Sequence, residues 1–198
     1  MKKIGLFFGS FNPIHVGHLI IAQHIINHTD IDQVCFVLSP QNPSKPKETL
    51  LQDYHRLALV NVAIEGNPQF SSSDIEFKLS KPSYTINTLT HLKEKHPQQA
   101  FYLIMGEDNL NTLHKWKNAD QIIRQFPIIV YPRIDDLHTP DSEFLAQATI
   151  LRCDAPIVKI SSSYIRQLIV DGKSTLYVLP EPVRRYVEEM NFYKAPPK

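Results

Sequence analysis

Long apolar runs are missing from this chain. No stretch approaches the ~20 residues a membrane-spanning helix needs. Met1-Lys2-Lys3 ahead of Ile4-Gly5-Leu6-Phe7-Phe8 has the outline of a secretion leader, but the apolar part is short and is broken at Gly9-Ser10-Phe11-Asn12-Pro13. Cysteine is scarce: Cys35 and Cys153 lie far apart, each in a strand-like context, which fits buried thiols in a reducing compartment better than a disulfide framework. The expected location is the cytoplasm, where the sequon Asn27-His28-Thr29 has no use. Excess charge is also missing. A formal net charge of +1 gives no electrostatic reason to expect a nucleic-acid or membrane-surface partner. Internal repeats and low-complexity segments are absent, and no His-Glu-x-x-His or similar spacing supplies a zinc ligand set. The tail of a P-loop pattern occurs at Asp171-Gly172-Lys173-Ser174-Thr175, but Gln167 stands where the earlier glycine belongs and a helix precedes it. That segment is a helix C-cap, not a Walker motif.

What remains is an ordinary globular composition, 42% hydrophobic and 21% charged, over 198 residues, enough for one domain spanning 1–198 with a substantial core. Apolar patterning predicts strands at 3–8, 33–38, 70–79, 100–105, 127–131, 149–152 and 157–160. Helices are predicted at 19–26, 48–65, around 86–92, 109–116 and 118–126, at 141–148, after Ser161, and at 181–190. Strand and helix alternate, so the expected fold is an α/β, doubly wound parallel sheet of Rossmann-like type with a small C-terminal helical extension. In such sheets ligands bind at the carboxyl ends of the strands, at a switch point.

The chain is organised around Gly9-Ser10-Phe11-Asn12-Pro13-Ile14-His15-Val16-Gly17-His18, a strand-to-helix turn. Such a turn offers free backbone N–H groups and the positive end of a helix dipole to an anion. Gly9 and Gly17 are expected to let backbone approach a ligand, and Pro13 to set the loop. His15 and His18, three apart, share a face and can donate to phosphate oxygens. The plainer alternatives are two ordinary helix histidines or a metal pair. A second turn, Ile160-Ser161-Ser162-Ser163-Tyr164-Ile165-Arg166, opens a helix with hydroxyls and carries an arginine. Taken alone it is a serine N-cap with a surface arginine. Paired with the first turn it forms a second phosphate clamp. Asp108, after a strong strand at Gly106-Glu107-Asp108, is a candidate for ribose hydroxyls or magnesium, or a simple helix cap. Trp116, the single tryptophan, is either core or a stacking surface for an aromatic ring. Lys45 and Lys47 are loop charges that could contact phosphate.

These residues carry a resemblance. His15-Val16-Gly17-His18 and Ile160 to Arg166 resemble the His-x-x-His and Ile-Ser-Ser-x-x-Ile-Arg signatures of the nucleotidylyltransferase superfamily. Pro82-Ser83-Tyr84-Thr85-Ile86-Asn87-Thr88-Leu89, Met105-Gly106-Glu107-Asp108-Asn109-Leu110 and Leu113-His114-Lys115-Trp116 resemble its bacterial nicotinate-nucleotide adenylyltransferase branch. The resemblance implies ATP and nicotinate mononucleotide as substrates, with Mg2+ accompanying ATP, and nicotinate adenine dinucleotide and pyrophosphate as products. It implies catalytic roles for His15, His18 and Arg166. Gly9, Ser10, Phe11, Gly17, Ser161, Ser162 and Ser163 would complete the ATP site. Tyr84, Thr85, Asp108 and Trp116 would hold the nicotinate nucleotide. Where the family often carries an aromatic residue after the tryptophan, this chain has Lys117. A sister activity on nicotinamide mononucleotide or phosphopantetheine, and a non-catalytic nucleotide sensor, are the alternatives. Homo-oligomerisation is left open.

Overall fold

A computed structural model describes residues 1–40, 50–80, 82–133 and 142–194. Six strands form one sheet: β1 (Lys2–Gly9), β2 (Gln33–Leu38), β3 (Phe70–Ser73), β4 (Gln99–Gly106), β5 (Ile128–Tyr131) and β6 (Ile150–Arg152). Their order is β3-β2-β1-β4-β5-β6, and every pairing is parallel. The helices are α1 (Val16–His28), α2 (Asp53–Ile64), α3 (Ile75–Lys78), α4 (Thr85–Lys95), α5 (Glu107–Thr112), α6 (Ala119–Gln125), α7 (Ser142–Leu145), α8 (Ser162–Val170) and α9 (Glu181–Glu189), with a 3-10 turn at Leu113–Lys115.

Alternation along the strands builds two core layers. Leu103 and Met105 of β4 and Ile128 and Val130 of β5 enter one layer with Leu89, Leu92, Ile122 and Phe126. Ile104, Ile129 and Tyr131 enter the other, with Phe7, Phe36, Ile25, Leu59 and Ile165. The doubly wound sheet expected from sequence is therefore present. The C-terminal helix packs tightly: Val183 and Val187 of α9 are buried in the same layer as Phe7 and Ile165.

Two expected strands differ. Only Phe70–Ser73 of 70–79 is extended, and Ile75–Lys78 turns helical as Phe77 N–H bonds to Asp74 O at 2.9 Å. That turn buries Glu76, whose carboxylate accepts from Thr88 Oγ1 at 2.8 Å and Ser83 Oγ at 3.2 Å. Residues 157–160 form no strand. Parallel pairing ends at Arg152, four residues before Pro156, which has no N–H to donate. Of the helix expected over 48–65, Asp53–Ile64 forms within the described residues.

β1 ends at Gly9 beside Leu38 of β2, and β4 ends at Gly106 beside Tyr131 of β5. The chain runs from β1 outward to β3 and returns to β4 on the other side of β1, so the switch point lies between β1 and β4. The first histidine turn and the Gly106-Glu107-Asp108 turn flank it.

Candidate active site

The turn after β1 is held by aromatic packing. Phe11 has a left-handed backbone, φ 44, unusual for a side chain of this size. Its buried ring folds back on its own strand, 2.8 Å from where a Cβ on Gly9 would stand, and meets Phe7 and His18 edge-on at 5.9 and 5.1 Å. Gly17 makes room in the same way for the His15 ring, 3.1 Å from its missing Cβ. The two glycines expected to admit a ligand thus admit the protein's own rings.

His15 is the extended residue that caps α1, and His18 lies in its first turn. Their imidazoles stack at 3.7 Å, 25° apart. The His15 backbone N–H donates to His18 Nδ1 at 3.2 Å, so a neutral His18 carries its proton on Nε2 and can donate from there. Burial, and secondly the Arg133 guanidinium, lower the His15 pKa to about 4. His15 is therefore neutral near pH 7 and stacks without like-charge repulsion. Its Nδ1 is buried with no hydrogen-bond partner among the described residues.

The second turn meets the first. Ser161 caps α8 by accepting from the Tyr164 N–H at 3.1 Å. Ser162 Oγ donates to Pro13 O at 2.8 Å, and Arg166 Nη1 donates to Asn12 O at 2.8 Å, while Arg166 Nη2 reaches Ser163 Oγ at 3.2 Å. One function of this serine–arginine pair is thus to fasten α8 to the histidine turn. Asn12 is a junction. Its Oδ1 also accepts from Leu51 N–H at 3.2 Å and from Tyr193 O–H at 2.8 Å.

Arg56 of α2 is fully buried and was not singled out in the sequence. Its guanidinium donates to Ser10 O at 2.6 Å, Ser39 O at 2.9 Å, Leu51 O at 3.1 Å and Pro40 O at 3.3 Å, and pairs with Asp53 at 2.5 Å. It joins the turn after β1 to the one after β2. An arginine on an otherwise apolar helical stripe (Leu57, Leu59, Val60) was the available signal.

Across the switch point, Asp108 in the first turn of α5 lies over Gly106, where an added methyl would collide with its carboxylate. Arg133, two residues past β5, approaches it at 3.5 Å. The neighbouring Glu107 accepts from Arg133 N–H at 3.3 Å and Arg152 Nη1 at 3.1 Å. Arg133, whose charge helps lower the His15 pKa, is a second cation near the histidine turn that the sequence did not reveal. Its only sequence mark is its place just beyond a strand end. Farther out, Tyr84 caps α4 and Thr85 begins it, and half-buried Trp116 packs on the core layer of Leu103 and Met105. The Lys117 ammonium sits 4.1 Å from the Tyr84 ring centre. Lys45 and Lys47 lie outside the described residues.

A family model described as cytidylyltransferase-like matches residues 6–168. A relative from Flavobacterium psychrophilum, named probable nicotinate-nucleotide adenylyltransferase, is 54% identical over 97% of this chain and 99% of its own length. One from Bacteroides fragilis with the same name is 41% identical over 94% of this chain and 92% of its own. The chain belongs to the nicotinate-nucleotide adenylyltransferase family. Members of this family are enzymes, nucleotidyltransferases of the cytidylyltransferase-like group, and the chain is one of them. The fold agrees: the solved Plasmodium falciparum nicotinic acid mononucleotide adenylyltransferase complexed with NaAD superposes with a TM-score of 0.79 over 98% of both chains, at 21% identity. An adenylyltransferase acting on ATP works with a divalent metal. Among the described residues no helix is long and apolar enough to cross a membrane.

Proposed function

We propose that this enzyme transfers the adenylyl group of ATP to nicotinate mononucleotide, forming nicotinate adenine dinucleotide and pyrophosphate in NAD biosynthesis. The observation that supports the reading is the joint between the two signature turns, Arg166 to Asn12 O and Ser162 to Pro13 O, which fastens the helix carrying Arg166 to the turn carrying the histidine pair.

The nucleophile is already a phosphate, so no general base is required. An oxygen of the mononucleotide phosphate forms a bond to the α-phosphorus of ATP in line with the leaving group. The bond from that phosphorus to the bridging oxygen breaks, and pyrophosphate departs with the electron pair. No covalent enzyme intermediate arises. Catalysis rests on orientation, which can supply roughly 7–11 kcal/mol, and on donors aimed at developing charge. His18 donates through Nε2. Neutral His15 holds the stack and the helix start. Arg166 retains N–H groups beyond those it spends on Asn12 and Ser163, and faces the phosphates. Gly9, Ser10, Phe11 and Gly17 shape the floor, and Ser161 to Ser163 the second wall. Arg133 adds charge opposite Asp108.

ATP would enter as its magnesium complex, and Asp108 would hold either that cation or the ribose hydroxyls of the nicotinate nucleotide. The cation would supply charge neutralisation for the departing pyrophosphate. Tyr84, Thr85 and Trp116 hold the nicotinate nucleotide, with the pyridine ring against the indole. We read residues 1–198 as one domain working in the cytoplasm, where the two free cysteines stay reduced.

The deciding experiment follows pyrophosphate release and dinucleotide formation from Mg-ATP with nicotinate mononucleotide, nicotinamide mononucleotide or phosphopantetheine. The expected result is turnover with the first well above the others. A protein that binds ATP but releases no pyrophosphate with any of them is a sensor, and the proposal is wrong.

A further inference from the structure

Lys117 stands outside the machinery described so far. It is solvent-exposed, one residue beyond Trp116, and its ammonium lies 4.1 Å from the centre of the Tyr84 ring. Lysine side chains carry much rotamer freedom, and an exposed cation over an aromatic face is weakly held. This one spans two segments. It reaches from the end of the 3-10 turn at Leu113–Lys115 to the residue that caps α4. Trp116 and Tyr84 both pack on the core layer of Leu103 and Met105, so the platform beneath the ammonium is anchored.

We propose that Lys117 is a specificity-determining residue: its ammonium pairs with the anionic carboxylate on the pyridine ring and so selects the acid mononucleotide over the amide. This rests on the reading that Tyr84 and Trp116 form the nicotinate end of the crevice. The two mononucleotides have nearly the same shape and stack equally well on an indole. They differ by one unit of negative charge and by the amide's two donors. Contacts by hydroxyl and aromatic groups discriminate weakly between them, whereas a mobile ammonium at the rim separates them by charge. A unit charge a few ångström away in a partly wet site changes affinity by about tenfold. The flexible stem lets the ammonium leave the Tyr84 face for a carboxylate and return when the site is empty.

The test uses the full chain and its single tryptophan. Trp116 fluorescence is followed during titration with nicotinate mononucleotide and with nicotinamide mononucleotide, and kcat and KM are measured for each with Mg-ATP. Lys117→Met and Lys117→Arg are compared with the unaltered protein. Lys117→Met should lower the acid-to-amide ratio of affinities by about tenfold, with the change in KM and not kcat. Lys117→Arg, which keeps the charge, should restore most of the ratio. Raising salt from 0.05 to 0.5 M, a range over which screening grows strongly, should compress the ratio in the unaltered protein and leave the Met variant flat. An acid-to-amide ratio within twofold of the unaltered protein in Lys117→Met overturns the role of Lys117, while adenylyl transfer continues and the proposed function stands. Absence of transfer by the unaltered protein with either mononucleotide overturns the proposed function, and Lys117 with it. Transfer without any change in Trp116 fluorescence removes the pyridine ring from the tryptophan and Lys117 from its reach.

Discussion

The two halves of the proposed site are unlike. On the side proposed for the triphosphate, the histidine turn is tied to segments 149, 154 and 181 positions away by Ser162, Arg166 and Tyr193, and to its neighbouring turn by the buried Arg56. Its polar groups are largely committed before any substrate arrives. Around Trp116, proposed above for the nicotinate nucleotide, Trp116 and Tyr84 are half-buried and Lys117 is exposed, and the nearby Asp108–Arg133 pair is half in solvent. Exposed ion pairs of that kind contribute little stability. The difference suits the tasks proposed for them. Donors that stabilise developing charge must be fixed beforehand, because reorganisation during reaction costs rate. A recognition surface needs only to discriminate, and tolerates mobile groups.

The contrast yields graded expectations. Arg56→Met should cost most, about 3–5 kcal/mol, because four carbonyls lose a buried donor. Urea unfolding measures this, and a loss under 1 kcal/mol would show the turns standing without it. His18→Ala should lower kcat by at least about a hundredfold, or ~3 kcal/mol, with the circular dichroism spectrum intact. Near-normal turnover would move the catalytic donor elsewhere. His15 links stability to pH. Its folded pKa of about 4 lies below the ordinary 6.5, so the unfolded chain takes up a proton first as pH falls. The contribution is whole above pH 6.5 and drains away toward pH 4. The loss between pH 7 and pH 5 is roughly 2 kcal/mol. His15→Gln should remove that slope in denaturation measured at both pH values, and an unaltered slope would assign it to another group. Trp116→Ala, on the other side, should raise KM for the mononucleotide about tenfold, equivalent to ~1.4 kcal/mol, with little effect on kcat or on the KM for ATP. An equal fall in kcat would erase the distinction between the halves.

The strands were legible where apolar residues run unbroken. Residues 33–38 were bounded correctly because both faces are covered by helices. The segment at 70–79 misled because Ile75 and Phe77 continue an apolar alternation through a helical turn, and the deciding partner of Glu76 is Thr88, twelve residues on. The segment at 157–160 misled because an apolar run does not reveal whether a neighbouring strand end still has groups to pair. At the site, His15, His18, Ser161 to Ser163 and Arg166 stood out as motif residues, since turn geometry and helix capping are local. Arg56, Arg133, Glu76 and Tyr193 did not, because each acts on a segment distant in sequence or beyond a strand end.

By itself, then, the order of residues determined the alternating α/β pattern, the positions of the two signature turns and the kind of chemistry they support, since all three arise from contacts within a few residues. The tertiary structure decided that a neutral, buried His15 stacks under His18, that α8 grips Asn12 and Pro13, that an arginine inside α2 braces two strand ends, and that Lys117 reaches the Tyr84 ring. Those features depend on which buried polar atom finds which partner across the sheet, and only the packed chain brings the partners together.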